Sequence, residues 1–324
     1  MIYNESSSFF FDSMNYQTTK YLMLIRPRNF SSNEETLESN EFQNDFTEST
    51  NLGQIREQVD VEFINMVDRL SEHEIDHIVF DDIEDLGSPD AIFPNNWVTF
   101  HDDGAVVLYP MMSSKRRNER RMDIIEKLSL QGFAVTKTID LSHLENNGHY
   151  LEGTGSMILD RLNKKAYACI SSRTTREALA AFSDTMSYEI IEFCSTTNIP
   201  IYHTNVMMSL GEDTALVCFE VIKEKDISKK LKSELEDSGR TVIDISIDQM
   251  KNFLGNALEV RSKNNEKYLL MSETAEDSLT VEQKKLIQNR VNLLSFPIPT
   301  IEKYGGGSVR CMLAEIFLDK SELK

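Results

Sequence analysis

Apolar and polar positions recur with two different periods along most of the chain, and these periods predict helices and strands. Between residues 55 and 70 the apolar side chains follow helical spacing, which predicts an amphipathic helix. Short apolar runs such as Tyr21–Ile25 have the length and composition of strands. Residues 1–19 show neither period, and residues 33–51 are polar and acidic. We therefore predict a disordered N-terminal tail over residues 1–19, a single domain over residues 20–324, and a long functional loop near its start.

Five short segments rich in small or amide residues each lead into a strand-like run, and we call them the anchor segments. They are Pro94-Asn95-Asn96-Trp97, Glu152-Gly153-Thr154-Gly155, His203-Thr204-Asn205-Val206, Leu254-Gly255-Asn256-Ala257 and Gly306-Gly307-Ser308-Val309. Their second residues, at 95, 153, 204, 255 and 307, are 58, 51, 51 and 52 positions apart. After each of the middle three anchor segments, the apolar pattern predicts two strands, a helix and a further strand, in that order.

A period near 51 residues is typical of stacked or radial repeats. Any α/β protein alternates strands and helices, but that alternative does not explain the near-constant spacing. We predict an α/β fold of five ββαβ units in a ring, with the anchor segments meeting at the central axis. A site at that axis would draw its residues from distant parts of the sequence.

Charge and cysteine content exclude several classes of function. The chain has 53 acidic and 34 basic residues and a formal net charge of −19, so it would repel a nucleic-acid backbone. No apolar run reaches the length that crosses a membrane. The four cysteines form no C-x-x-C pair, which argues against structural zinc, and no basic n-region of a secretory signal is visible. We expect a cytoplasmic protein with reduced thiols, no metal, and neither nucleic acid nor membrane as a partner.

Three residues at or beside the anchors have the side chains of a nucleophilic site. Cys311 supplies a thiol, His203 an imidazole that shuttles protons, and Glu152 a carboxylate that orients the imidazole. Arg310, next to Cys311, is expected to favour the thiolate. The alternative is that Cys311 is a core residue of an apolar strand over Val309–Phe317, with the histidine and the carboxylate serving only in turns.

Five motifs give the sequence a familiar pattern. They are Glu38-Ser39-Asn40-Glu41-Phe42, Pro89-Asp90-Ala91-Ile92-Phe93-Pro94-Asn95-Asn96-Trp97, Leu151-Glu152-Gly153-Thr154-Gly155-Ser156, His203-Thr204-Asn205-Val206-Met207-Met208 and Gly305-Gly306-Gly307-Ser308-Val309-Arg310-Cys311-Met312. From Ile25 to Leu318 the chain resembles the guanidino-group-modifying, or pentein, superfamily. Within that superfamily it is most similar to the bacterial citrulline-utilisation hydrolases, often labelled amidinotransferase-like. The resemblance implies a five-bladed α/β propeller that needs no cofactor.

The resemblance also implies roles for individual residues. It makes Cys311 the nucleophile, His203 the general acid and base, and Glu152 the carboxylate of the central site. The positions implied in substrate binding are Asp90, Asn95, Asn96, Arg117, Arg173 and Asn205. The two arginines would hold the substrate's α-carboxylate through bidentate pairs. Arg117 has a second interpretation as part of a solvated basic patch, because Arg116, Arg120 and Arg121 are close in sequence.

Two positions depart from the deiminase pattern and bear on the substrate. Deiminases clamp a cationic guanidinium with acidic residues, whereas this chain has Asn96 and Asn205 there. An amide has both donors and an acceptor, which suits a neutral ureido group. We therefore predict a cysteine-dependent hydrolase that converts citrulline to ornithine, ammonia and carbon dioxide.

Several alternatives stay open at this point. Asp90 leaves room for a cationic substrate, so a deiminase or dihydrolase acting on arginine or a modified arginine is one alternative. An amidinotransferase would use the same thiol but pass the group to an amine. A binding protein without activity would have no use for the three catalytic groups together. A homo-oligomeric assembly is also left open.

Overall fold

The computed structural model describes residues 16–37, 40, 42–46, 51–83, 86–197 and 201–321. Residues 1–15 of the predicted tail lie outside the described residues, as do Glu38, Ser39 and Glu41 of the first motif. Residues 17–19 belong to the tail predicted from the sequence, but in the structure these three residues are buried. Gln17, for example, donates its amide to the Leu159 carbonyl oxygen at 2.8 Å and accepts from the Arg161 backbone N–H.

The described residues form fifteen strands and ten α-helices. The strands are β1 (Tyr21–Arg26), β2 (Asp76–Asp81), β3 (Val98–Phe100), β4 (Ala105–Leu108), β5 (Lys137–Asp140), β6 (Met157–Asp160), β7 (Lys165–Cys169), β8 (Glu189–Phe193), β9 (Met208–Leu210), β10 (Thr214–Val217), β11 (Thr241–Asp244), β12 (Leu258–Arg261), β13 (Lys267–Ser272), β14 (Asn292–Phe296) and β15 (Ala314–Ile316). The helices are α1 (Glu34–Leu37), α2 (Leu52–Glu72), α3 (Met122–Leu130), α4 (Gly153–Ser156), α5 (Arg176–Met186), α6 (Lys225–Asp237), α7 (Ile247–Lys251), α8 (Glu273–Asp277), α9 (Val281–Gln288) and α10 (Pro299–Gly305).

The strands pair into five three-stranded mixed sheets, which confirms the predicted α/β class with five repeated units. The sheets are β3-β4-β5, β6-β7-β8, β9-β10-β11, β12-β13-β14 and β15-β1-β2. In each sheet the first pair is antiparallel and the second pair is parallel. Helices α3, α5, α6 and the pair α8–α9 connect the parallel strands of the first four sheets, because parallel neighbours need a crossover connection. The last sheet joins the two ends of the chain, because β15 pairs with β1.

Helix α2 is the crossover of that last sheet and confirms the helical period of residues 55–70. Val59, Phe63, Met66 and Leu70 are buried on one face, as their spacing predicts. The loop predicted over residues 33–51 contains the short helix α1. None of the helices among the described residues is long and apolar enough to cross a membrane.

The strand predicted over Val309–Phe317 is shorter than expected. Val309–Met312 forms a 3-10 turn, and only Ala314–Ile316 is strand. Three of the other anchor segments likewise form a helical turn just before their strand. Cys311 therefore lies in an anchor turn and not in a core strand.

The helical turns at the first, second, third and fifth anchor segments contact neighbouring turns of this set, as a ring of five units requires. Glycines in the anchors allow this close approach because they have no Cβ. A Cβ on Gly155 would lie 2.3 Å from the Asn96 Nδ2 and 2.8 Å from the His203 Nδ1. A Cβ on Gly255 would lie 2.3 Å from the Val206 carbonyl oxygen. The small residues of the anchors are thus required where neighbouring units meet.

Candidate active site

The Cys311 thiol is held between two amide side chains. Asn205 Nδ2 lies 3.3 Å from the Cys311 Sγ, and Asn256 Nδ2 lies 3.2 Å from it. The second amide also donates to the Asn205 backbone carbonyl oxygen at 3.1 Å, which fixes its orientation. Two amide N–H groups therefore converge on the sulfur that the sequence predicts to be the nucleophile. Asn256 belongs to the fourth anchor segment, and its anchor position is the sequence signal that identifies it.

The two amides also present acceptors at the same place. The Oδ1 atoms of Asn205 and Asn256 are buried and have no hydrogen-bond partner among the residues that the structure describes. Buried polar atoms without partners are rare in folded proteins and call for an explanation. Neither residue, however, is among those that line the pocket that Cys311 shares with His203.

His203 and Glu152 form a buried pair beside the thiol's pocket. His203 Nε2 lies 2.7 Å from Glu152 Oε2, and the Met112 backbone N–H donates to the other carboxylate oxygen at 3.0 Å. Because an ionised carboxylate only accepts, Nε2 carries the proton and Nδ1 is the free base of the neutral ring.

The protonation states of this pair follow from its surroundings. Burial lowers the pKa of His203 to about 4 against the opposing effect of Glu152. Burial alone would raise the pKa of Glu152, but the hydrogen bond from His203 and the charge of Arg173 lower it to about 2. At neutral pH the pair is therefore a neutral imidazole on a carboxylate, ready to accept a proton and later return it.

The arginine that enters the pocket from the 115–119 turn is Arg116, and not the predicted Arg117. Its guanidinium binds Glu119 through two bonds of 2.8 and 2.9 Å and donates to Asn96 Oδ1 at 2.9 Å. It also lies 3.6 Å from Asp90 Oδ2 and 3.7 Å from Glu152 Oε2. The surrounding carboxylates raise the pKa of Arg116 in spite of its burial.

Arg117 lies elsewhere, because its position in the 3-10 turn directs it away from the pocket. Its side chain is one-third exposed, pairs with Glu145 at 3.1 Å and donates to the Met111 carbonyl oxygen. It is not among the residues that line the pocket. The role predicted for Arg117 in binding a carboxylate therefore passes to the arginines that do line it.

Arg173 and Asp90 are two further ionisable residues in the lining of the pocket. Arg173 is buried, lies 3.7 Å from Glu152 Oε2, donates to the Thr36 carbonyl oxygen and stacks 4.8 Å from the Tyr202 ring centre. Asp90 Oδ2 accepts from Asn33 Nδ2 at 2.7 Å. Burial raises the pKa of Asp90, and Arg116 opposes this.

The two adjacent asparagines of the first anchor have different positions. Asn96 lines the pocket, and its Nδ2 has no hydrogen-bond partner within the described ranges. Asn95 is fully buried behind it and does not line the pocket, although neither of its amide atoms has a partner among those same residues. The predicted substrate contact therefore suits Asn96 better than Asn95.

The pocket gathers residues from the first, third and fifth anchor segments. Its lining consists of Thr36, Asn40, Asp90, Phe93, Asn96, Arg116, Arg173, Tyr202, His203, Gly305, Gly306, Gly307 and Cys311. Its volume is about 20 Å³, which is space for roughly one water molecule. An amino acid therefore enters only if lining groups move, and Thr36 and Asn40 come from the long loop that the sequence predicts to be functional.

Arg310 does not have the role that its sequence position suggests. It donates to the Leu313 carbonyl oxygen and pairs with Glu315 at 2.7 Å. It lines a different small cavity, together with Gln17 and Ser209. In the described part of the chain, no group of three or more potential metal ligands is present.

Comparison with solved structures gives three informative likenesses. The N-terminal domain of ArgZ, described as an arginine dihydrolase from the ornithine–ammonia cycle in cyanobacteria, is 13% identical with a TM-score of 0.69, over 92% of this chain and 99% of that one. AgrE, solved with L-arginine, is 14% identical with a TM-score of 0.71, over 91% of this chain and 40% of AgrE. An adduct of dimethylarginine dimethylaminohydrolase is 14% identical with a TM-score of 0.60, over 92% and 100%. These likenesses show the fold.

The family follows from the sequence itself. Residues 26–318 match the family described as N,N-dimethylarginine dimethylhydrolase, eukaryotic. The chain belongs to this family, within the guanidino-group-modifying superfamily that the motifs predict. The predicted enzyme class, a hydrolase acting on C–N bonds of amidino-type groups, is thereby confirmed. No match was found among curated proteins.

Proposed function

We propose that the chain hydrolyses the guanidino group of arginine or a modified arginine, and that its ureido product, citrulline, is hydrolysed in the same site. The observation that carries this proposal is that Cys311 and His203 line one pocket together with Asp90 and Arg173. The thiol attacks a planar carbon that carries nitrogen leaving groups, and guanidino and ureido groups both have that form.

Two charged groups suit the rest of an arginine-like substrate. Arg173 offers a planar guanidinium for the α-carboxylate, and its stacking on Tyr202 holds that plane in place. Asp90 supplies a carboxyl group for a cationic side chain, and it accepts from the Asn33 amide and lies 3.6 Å from Arg116. AgrE solved with L-arginine and the arginine dihydrolase ArgZ share the fold, which favours an arginine-class substrate over one restricted to citrulline.

The first hydrolysis has two chemical steps. The Cys311 thiol gives its proton to His203 as the sulfur adds to the central guanidino carbon. His203 passes that proton to one nitrogen, which leaves as ammonia or a methylated amine, and a thiouronium group remains on the sulfur. A water molecule then gives a proton to His203, attacks the same carbon and displaces the sulfur. The product is citrulline.

The second hydrolysis is supported by Asn96. Its unpartnered Nδ2 is a donor, and a ureido oxygen is an acceptor that a guanidinium lacks. Attack of the thiol on the ureido carbon and a second water molecule would release ornithine, ammonia and carbon dioxide. The Asn96 amide thus suits citrulline, the product of the first hydrolysis, better than it suits the guanidino substrate. This favours a second hydrolysis of citrulline over its release.

The test is a substrate screen with the purified chain. Arginine, monomethylarginine, dimethylarginine and citrulline are supplied separately, and citrulline, ornithine, ammonia and methylamines are measured over time. We expect turnover of at least one guanidino substrate and of citrulline, and none with Cys311→Ala. If citrulline accumulates from arginine and no ornithine forms, the proposed hydrolysis of citrulline is refuted. Transfer of the amidino group to added glycine would refute hydrolysis.

A further inference from the structure

A buried carboxyl group lies directly behind the turn that carries the nucleophile. Glu302, in helix α10, is 4% exposed. Its Oε1 accepts from the Ser308 hydroxyl at 2.6 Å, and its Oε2 accepts from the Thr274 hydroxyl at 2.8 Å. Neither the catalytic steps nor the family motifs use this carboxyl group.

The groups around Glu302 are hydroxyls and a second carboxyl group. Burial raises the pKa of Glu302, the hydroxyls of Ser272, Ser308 and Thr274 lower it, and the charge of Glu62 raises it. Hydrogen bonds from hydroxyls to a carboxylate are short and strong when they are buried. A carboxyl group held only in this way fixes its partners firmly.

Ser308 is an unusual cap of the turn that follows it. It occupies the N-cap position of the 3-10 turn Val309–Met312, where serine ordinarily accepts a hydrogen bond from the turn's backbone. Its side chain makes no such bond, because the hydroxyl donates to Glu302 instead. Its backbone carbonyl oxygen accepts from the Cys311 N–H at 3.0 Å. One residue therefore links the buried carboxyl group to the nucleophile.

Helix α10 is itself fixed at its other end. The carboxylate of Glu62, in helix α2, accepts from the backbone N–H groups of Thr300 and Ile301 at 3.0 to 3.1 Å. At the C-terminal end the Gly306 N–H donates to the Glu302 carbonyl oxygen. Because α10 is held at both ends, Glu302 is a rigid point against which the flexible triple-glycine segment is positioned.

We propose that Glu302 is a positioning residue for Cys311 and acts through Ser308. This inference rests on Cys311 being the nucleophile of the proposed reaction. The sulfur keeps its two amide donors, at 3.2 and 3.3 Å, only while the turn that carries Cys311 stays in place. A displacement of about 1 Å at a reacting group is enough to cost roughly 100-fold in rate.

The experiment measures the reactivity of the thiol without any substrate. Iodoacetamide alkylates Cys311, and the same measurement on Cys311→Ser gives the background from the other three cysteines. For Ser308→Ala we expect alkylation slower by about 10-fold or more, and a kcat lowered by about 10- to 100-fold with little change in KM. Glu302→Gln keeps the shape but loses the charge, so its effect should be smaller.

Ser246→Ala is the matched control, because Ser246 is an N-cap serine remote from the pocket whose hydroxyl caps helix α7. It should lower the thermal unfolding temperature without changing alkylation. The double variant of Glu302→Gln with Ser308→Ala should be no slower than Ser308→Ala alone, because both act through one bond.

The outcomes separate this inference from the proposed function. If the double variant is alkylated more slowly than Ser308→Ala alone, the two residues act independently and the positioning role is overturned. An alkylation rate equal to that of the wild type in a folded Ser308→Ala or Glu302→Gln variant would overturn it as well. If Ser308→Ala does not fold, Glu302→Gln alone decides, since an unchanged thiol reactivity in it would also overturn the inference. A wild-type Cys311 that alkylates no faster than background would instead overturn the assignment of the nucleophile.

Discussion

Replacing Asn96 with aspartate should change the preference between neutral and cationic substrates. Asn96 Oδ1 accepts from Arg116 at 2.9 Å, and a carboxylate oxygen keeps that bond. The unpartnered Nδ2, however, becomes an oxygen that cannot donate. A ureido oxygen then faces an acceptor in place of a donor, whereas a guanidinium finds a second acceptor.

The magnitude follows from the hydrogen bond that is lost. Leaving a buried acceptor unpaired costs about 1–3 kcal/mol. Arg116 already pairs with the new carboxylate, so we count no gain for arginine. The ratio of kcat/KM for citrulline to that for arginine should therefore fall by about 10- to 100-fold, at 1.4 kcal/mol for each factor of ten.

The assay measures ornithine and ammonia from citrulline, and the loss of arginine, between pH 5 and 8. Nearby Asp90 and Glu152 favour protonation of the new carboxyl group, and a protonated carboxyl can donate again. Citrulline turnover by Asn96→Asp should therefore recover as the pH falls. Asn118→Asp, at an exposed amide two positions after Arg116, adds the same charge outside the pocket and should leave the ratio unchanged. An unchanged ratio in Asn96→Asp at pH 8 would refute the reasoning.

Three other predictions follow from the same geometry. Cys311→Ser should lower kcat by about 1000-fold or more while circular dichroism shows an intact fold, because a hydroxyl is a poor nucleophile at neutral pH; near wild-type turnover would contradict the mechanism. Arg173→Lys should raise KM for the amino-acid substrate by about 10-fold, whereas Arg117→Lys should not, since only Arg173 lines the pocket; equal effects in steady-state kinetics would argue against this. The pKa of His203 is lowered from 6.5 to about 4, so the unfolded chain binds a proton first and stability should fall as the pH drops below 6.5. His203→Gln should reduce that fall in unfolding temperature between pH 6.5 and 5, and an identical pH dependence would contradict the buried neutral imidazole.

The ring of five units is predictable from the sequence because its cause is local. Small residues lie where neighbouring anchor segments touch, as Gly155 and Gly255 show, and the anchors recur about every 51 residues. Side chains at or beside the anchors are then expected to come together without any knowledge of the loops. Cys311 and His203 do line one pocket, and Glu152 is bonded to the histidine.

The arginine that enters the pocket is not predictable in the same way. Residues 115–121 contain four arginines, and the phase of a 3-10 turn decides which of them faces inward. The bidentate pair with Glu119 selects Arg116, and Glu119 becomes informative only once the turn is known. The tail boundary has a similar cause, since Gln17 is ordered by backbone partners in another sheet that lie about 140 positions away in sequence.

The sequence argument that the amides favour a neutral substrate changes once the thiol is located. Asn205 and Asn256 lie 3.2 to 3.3 Å from the sulfur, so a carboxylate at either place would oppose the thiolate by about 5 kcal/mol at an effective dielectric constant of 20. Amides there spare the thiolate this repulsion, so their presence does not by itself argue against a cationic substrate. The Asn96 amide is the one of the three that lines the pocket, and its donor distinguishes a ureido oxygen from a guanidinium nitrogen. Asp90, which contacts Asn33 and Arg116, places a carboxyl group in the same lining. A pocket that combines an acidic group with a neutral amide donor is what the proposed reaction on arginine, and then on its neutral product, requires.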